Sequence, residues 1–251
     1  MAENRIVLAQ RTHKSIYRRG NRVVKVFDKN FPKTDVLNEA LNQARVEATG
    51  LPVPKVHAVS VTEDGNWCIE YDYIEGQTLE QLMAEHPEDL EKYMEDFVRL
   101  QMEVHSKQSP QMSKLKDKWD GKIAASDRFN ATVRYELRTR LASMSKHNKV
   151  LHGDFNPSNI IVTPEGKYFI LDWSHATQGN AAADAATTYL LFALKDQKLA
   201  DLYMSVYCEL SLTARQYVQR WLPVTAASRL GKGHADEKEL LEQWLNVVEY
   251  E

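Results

Sequence analysis

Glycine is scarce at the front of this 251-residue chain: Gly20 is the only one before Gly50. A loop of the G-x-G-x-x-G kind needs several such residues, so the first fifty positions do not hold one. Cysteine is nearly absent. Cys68 and Cys208 lie far apart in sequence and offer neither a disulfide framework nor a zinc spacing. A reducing, cytoplasmic setting is expected. No apolar run approaches the ~20 residues that span a bilayer, and the N-terminus lacks the apolar stretch of a signal peptide, so no membrane partner is expected. Neither sign of charge dominates. A formal net charge of −3 argues against nucleic acid as a partner. No internal repeat or low-complexity tract is present.

What is there reads as a folded globular protein. Hydrophobic residues make up 43% and charged residues 27%, ordinary values for a chain with room for one large or two small domains. The first fifty positions are locally basic. They form either a solvated surface or one that attracts anions.

The order of elements changes character along the chain. "RIVLA", "SIYRR" and "RVVKVF" read as short strands, with a hairpin at Gly20-Asn21. A helix follows, with Thr34 as its cap and Leu37, Ala40, Leu41 and Ala44 at helical spacing. Gly50, Pro52 and Pro54 end it. "VHAVSV" and "WCIEYDYI" read as two more strands. Beyond "IEGQTL", where Thr78 can cap a helix, the pattern turns helical. Glu88 to Ser106, Arg128 to His147, and three later segments including "TARQYVQRWLPVTAASRL" read as helices. A small hairpin, "NIIV" and "YFILDW", interrupts them. The expected architecture is α+β: a small β-rich lobe with one main helix over residues 1–74, then a larger, mainly helical lobe over 75–251.

The segment "HGDFNPSN", His152 to Asn159, is rich in turn formers, so it reads as a loop. Asp172 stands at the end of the strand "YFIL". Two carboxylates and an amide thus converge from a loop and the adjoining hairpin. This is a set of hard oxygen ligands suited to Mg²⁺ and phosphate oxygens. Phosphoryl transfer asks for an oriented hydroxyl, metal bridging the phosphates, and cations on developing charge. Asp154 would orient or deprotonate the hydroxyl, and Asn159 and Asp172 would hold Mg²⁺.

"LHGDFNPSNIIV…YFILDW" resembles the aminoglycoside phosphotransferase/choline kinase-like family, which has a protein-kinase-like fold. The resemblance covers the chain from about Ser15 to Leu230. It implies a two-lobed enzyme that phosphorylates a hydroxyl of a small molecule from ATP or GTP. It places Asp154 as the catalytic aspartate, His152 as the histidine supporting the loop, and Asn159 and Asp172 as the Mg²⁺ ligands. It also implies that Lys25 grips the nucleotide phosphates, that Glu39 pairs with Lys25, and that Asp72 to Ile74 offer backbone groups to the base. Asp184 resembles an aspartate that buttresses the loop. "QRTHKSIY" replaces the glycine-rich loop, with Thr12 and Ser15 as phosphate contacts. Trp119, Trp173, His175 and Trp221 are candidates for lining the acceptor site. The implied partners are a nucleotide and a small-molecule acceptor: an amino alcohol, a sugar or an aminoglycoside. The alternative is a nucleotide-binding module without turnover.

Overall fold

The structure is a computed structural model and describes residues 5–230 and 238–245. The chain divides into two compact units, one of residues 1–85 with 157–175, the other of residues 86–156 with 176–251. Among the described residues, no helix is long and apolar enough to cross a membrane.

The first unit opens with strands β1 (Ile6–Arg11), β2 (Lys14–Arg19) and β3 (Arg22–Phe27), then helix α1 (Lys33–Glu47) and strands β4 (Val56–Val61) and β5 (Trp67–Asp72). The strands make one antiparallel sheet in the order β1-β2-β3-β5-β4. Three strands, a helix and two strands is the expected order. Gly20, with φ +60°, takes the first place of a two-residue hairpin turn, where a side chain would be strained. Helix α1 packs on the sheet through Val36 and Ala40, which meet Phe27 and Ile69.

Two expectations about α1 are corrected. It begins at Lys33 after Pro32, whose φ of −61° suits the entry, and no side chain caps it; Thr34 is already inside the first turn. Its buried positions include Val36, Glu39, Ala40, Gln43 and Val46, whereas Leu37 and Leu41 are 42% and 48% exposed. The helix is turned so that Glu39 faces the sheet, and the leucines lie outside that face.

Strand β6 (Gln77–Thr78) leads into helix α2 (Leu79–Glu85). Thr78 does cap this helix: its hydroxyl accepts the Gln81 N–H at 3.1 Å, and Gln81 Oε1 accepts the Thr78 N–H at 2.8 Å. This is the reciprocal capping box.

Helices α3 (Leu90–Ser106), α4 (Leu115–Ala124) and α5 (Ala131–Ser143) and strand β7 (Lys149–Leu151) belong to the second unit. The chain then returns to the first unit for a 3-10 turn (Pro157–Asn159) and the hairpin of β8 (Ile160–Val162) and β9 (Tyr168–Ile170). The second unit resumes with β10 (Thr177–Gly179), paired with β7, and helices α6 (Ala181–Ala193), α7 (Gln197–Ser211), α8 (Arg215–Gln219), α9 (Leu222–Leu230) and α10 (Lys238–Leu245). One expected helix is therefore two, α8 and α9. Pro223 fits only the first turn of a helix, so the run from Thr213 to Leu230 must break before it. The second unit's core is aromatic. Phe97 of α3 meets Phe155, Phe192 and Tyr203 at ring-centroid distances of 4.7, 5.5 and 6.0 Å.

Candidate active site

Lys25 sits in β3, a run of β-branched residues suited to a covered strand. Alternation along the strand turns it, with Phe27, toward α1. Its Nζ lies 2.5 Å from Glu39 Oε1 and 3.5 Å from Asp172 Oδ1. The Tyr71 hydroxyl donates to Glu39 Oε1 at 3.2 Å. Lys25 and Glu39 are 5% and 3% exposed, so each charge depends on its partners. Burial pushes the Lys25 ammonium toward losing its proton, but Asp172 and Glu39 outweigh burial and raise its pKa.

Asp172 follows the β8–β9 hairpin. Its φ is +57°, a left-handed conformation that aspartate tolerates better than most residues. Strain of this kind persists where surrounding structure imposes it. Burial pushes the carboxyl up, yet Lys25 and then Lys14 hold it well below the usual carboxylate range. Its Oδ1 is buried with no hydrogen-bond partner. Asn159, 7% exposed, ends the 3-10 turn, and its carbonyl accepts the Leu171 N–H at 2.8 Å. Turn and strand end are thus tied together, with one oxygen-bearing side chain on each. Among the described residues, no group of three or more His, Cys, Asp or Glu is arranged to hold a metal ion by itself. A hard cation would therefore find one carboxylate and one amide, leaving positions for phosphate oxygens and water. Asp172 Oδ1, which faces Lys25 at 3.5 Å and accepts no hydrogen bond, fits that use.

In the second unit, the loop after β7 hangs on Asp184 of α6. Asp184 Oδ1 accepts the Gly153 N–H at 2.7 Å, and Oδ2 accepts the His152 N–H at 3.2 Å. His105 Nε2 lies 3.0 Å from the same Oδ2. Burial raises the Asp184 carboxyl, but its bond to His105, the electrostatic pull of the His105 and His152 rings, and the Gly153 N–H together lower it. His152 is fully buried, and its Nδ1 accepts the Asp154 N–H at 3.2 Å. Gly153, with φ +79°, bends the chain there. Asp154 is half-buried beside these buried neighbours, and the loop holds its backbone from both sides.

The remaining predicted residues are more scattered. Thr12 lies in the two-residue turn between β1 and β2. Ser15 pairs with Val26, one position out of phase with Lys25, so its side chain lies on the opposite face of the sheet. There it lines a groove with Tyr17, Val24 and Val26. As a phosphate contact, its hydroxyl is on the wrong side; Lys14 is the residue that shares the Lys25 face. Asp72 ends β5. Its carboxylate accepts from Arg22 Nη1 at 2.5 Å and from the Lys55 N–H at 3.1 Å, with His57 Nε2 at 2.7 Å. The Asp72 N–H goes to Lys55 O and the Tyr73 N–H to Asn21 O, both at 3.0 Å. Trp119 and Trp221 are 6% and 1% exposed and pack edge to face with centroids 6.3 Å apart. Trp173 is fully buried and donates to Ile170 O at 3.1 Å. These rings serve as core.

Sequence reasoning passed over three contributors: Lys14, Tyr71 and His105. The alternation that places Lys25 also places Lys14. His105 lies on the buried face of α3 with Gln101 and Val104, but nothing local marks its partner.

Comparison with known proteins bears on the whole chain. The model of the phosphotransferase enzyme family matches residues 2–222. No curated protein matches. Among solved structures, a thermostable mutant of aminoglycoside phosphotransferase APH(4)-Ia is similar, with TM-score 0.71, 15% identity, and coverage of 98% of this chain and 93% of that one. Another is choline kinase LicA from Streptococcus pneumoniae, with TM-score 0.64, 15% identity, and coverage of 97% and 93%. A choline/ethanolamine kinase family protein from Mesorhizobium loti gives TM-score 0.62 at 16% identity, with coverage of 98% and 85%. At such identities the likeness establishes the fold, which is protein-kinase-like.

Proposed function

The chain belongs to the phosphotransferase enzyme family, and from that premise we propose that it moves the γ-phosphate of ATP or GTP to a hydroxyl of a small molecule. The observation that carries this reading is the buried Lys25–Glu39 pair at 2.5 Å, with Asp172 3.5 Å from the same ammonium. A lysine fixed by one carboxylate and beside a second, strained one suits the gripping of phosphates next to a cation.

The roles follow from chemistry. Lys25, oriented by Glu39, binds phosphate oxygens of the nucleotide. Asp72 and Ile74 offer backbone groups to the base. Thr12 and the backbone around Ser15 lie at the phosphates. Asn159 and Asp172 would hold Mg²⁺, which when bound supplies positive charge to the phosphates. Asp154 accepts the hydroxyl proton or holds the hydroxyl in line. His152 keeps the loop in shape through its bond to the Asp154 N–H. In this reading residues 1–74 serve the nucleotide, and residues 75–251 serve catalysis and the acceptor.

Amino alcohols, sugars and aminoglycoside-like compounds are the acceptor classes. A thermostable mutant of the similar aminoglycoside phosphotransferase APH(4)-Ia has been crystallised in a ternary complex with ADP and hygromycin B, which supports a nucleotide donor and a small-molecule acceptor. The test is Mg²⁺-dependent nucleotide turnover against a panel of these compounds, for the wild type and Asp154→Ala. Wild-type turnover with one of them, lost in the variant, is expected. Equal rates for the two proteins on every reacting compound would sink the assignment of Asp154. A nucleotide-binding module without turnover would instead show thermal stabilisation by nucleotide and no reaction; family membership does not favour it.

A further inference from the structure

We infer that Lys14 is a second polyphosphate-binding residue of the nucleotide site, supplying by side chain what a glycine-rich loop supplies by backbone amides. The inference rests on the kinase reading and deepens it.

Lys14 opens β2 immediately after the Thr12–His13 turn. Its register partner is Phe27, and Ile16, two residues on, stands opposite Lys25. Cross-strand partners and residues two apart share a face of the sheet, so Lys14 and Lys25 project to the same side. Their ammonium groups divide one carboxylate: Lys25 takes Glu39 Oε1 at 2.5 Å, and Lys14 stands 3.5 Å from Oε2. The Lys14 ammonium also lies 4.8 Å from the Phe31 ring centroid and 5.3 Å from that of Phe27. Its charge acts on Asp172. Lys14 thus completes one cluster with the three side chains assigned to nucleotide and metal.

The charge of Glu39 is already balanced by Lys25. Lys25 and Tyr71 both donate to Oε1, at 2.5 and 3.2 Å, and Oε2 is left to Lys14 at 3.5 Å, a long pair that returns little for burying a second cation. Burial and the neighbouring Lys25 both disfavour the charged form of Lys14. A cation held at such a disadvantage gains when a polyanion arrives. Its side chain keeps 21% exposure, against 7% for Lys25, so it is the more reachable of the two. A flexible stem bearing a point charge is what phosphate binding by lysine uses. The competing role is packing, with the Lys14 stem covering Phe27 and Phe31.

The experiment is calorimetric titration of the full chain with adenosine, ADP and a non-hydrolysable triphosphate, for the wild type, Lys14→Met and Lys14→Arg. Loss of one charge-assisted contact predicts triphosphate binding weakened about 10- to 100-fold in Lys14→Met. Adenosine affinity should be unchanged, and Lys14→Arg should fall between. Wild-type triphosphate affinity in Lys14→Met, or equal loss for adenosine and triphosphate, overturns the inference and leaves the kinase reading intact. A wild type that binds none of the three overturns the kinase reading itself. Should Lys14→Met not fold, acetylation mapping of the wild type decides. Lys14 modification must slow with triphosphate and not with adenosine, and an unchanged rate refutes the inference.

Discussion

Gly153 gives its backbone N–H to Oδ1 of Asp184 at 2.7 Å, across 31 residues of sequence. The other oxygen of that carboxylate receives the His152 N–H at 3.2 Å, with His105 Nε2 at 3.0 Å. One buried charge therefore fixes the two residues that precede Asp154. Asp184→Asn replaces an acceptor oxygen with an amide that can only donate, facing groups that also donate. Breaking a buried charged network costs about 3–5 kcal/mol, and the urea midpoint should fall accordingly. At temperatures where the variant remains folded, turnover should drop as well, because the Asp154 backbone loses its anchor.

The same carboxylate predicts an acid limb of stability. Its folded-state pKa lies below the ordinary value. Its contribution is thus present above the unfolded-state pKa of about 3.9 and is lost as pH falls through the lower folded-state value. Stability of the wild type against pH should steepen below about pH 4, and Asp184→Asn should flatten that limb. Identical slopes for the two proteins would show that Asp184 carries no such share.

Gly76 and Gly65 offer a matched contrast within the first unit. A Cβ at Gly76 would come 2.2 Å from the Val162 carbonyl oxygen, whereas one at Gly65 would meet nothing within 4 Å. Both have positive φ, +153° and +81°. Gly65→Ala carries only backbone strain, about 1–2 kcal/mol. Gly76→Ala adds a clash with backbone, a further ~1–3 kcal/mol, and disturbs the β6–β8 pairing. Chemical denaturation of the two variants should show Gly76→Ala as clearly the weaker; equal losses would mean that the close approach is relaxed in solution.

The local signals were legible because the structures they specify are local. The Gly20–Asn21 turn, the Thr78–Gln81 cap and the alternation of "RVVKVF" each depend on a few neighbouring residues. The "HGDFNPSN" loop and the "ILDW" strand end were likewise readable, and the structure places Asn159 and Asp172 on a turn and strand end joined by a backbone bond. Misreadings arose where distant partners decide. Leu37 and Leu41 recur at helical spacing, but the side of α1 that turns inward is the one carrying Val36, Ala40 and Glu39, whose partners Phe27, Ile69 and Lys25 lie on distant strands. Lys14 becomes part of the cluster only through its register with β3. His105 and Asp184 are 79 residues apart, and neither announces the other. Helices α4 and α7 went unread, although Asp196, whose carboxylate accepts the Lys198 N–H at 2.7 Å, is a cap signal for α7.

Asp172 supports a prediction in which the sign of an effect depends on metal. Asp172→Asn keeps the size of the side chain and a residue type that tolerates φ near +57°, so the substitution isolates the charge. With Mg²⁺ present, loss of a ligand oxygen's charge should weaken triphosphate binding and cut turnover by about 10²–10³-fold, the range seen when one stabilising electrostatic group is removed. Without Mg²⁺ the outcome should reverse. The wild-type carboxylate repels the polyphosphate, and its removal leaves the Lys25 ammonium, 3.5 Å away, with one competitor fewer. The variant should then bind metal-free triphosphate more tightly than the wild type. Titrations of both proteins with a non-hydrolysable triphosphate, with Mg²⁺ and with chelator, measure this crossing. Parallel weakening under both conditions would mean that Asp172 serves the fold around Lys25 and not a cation.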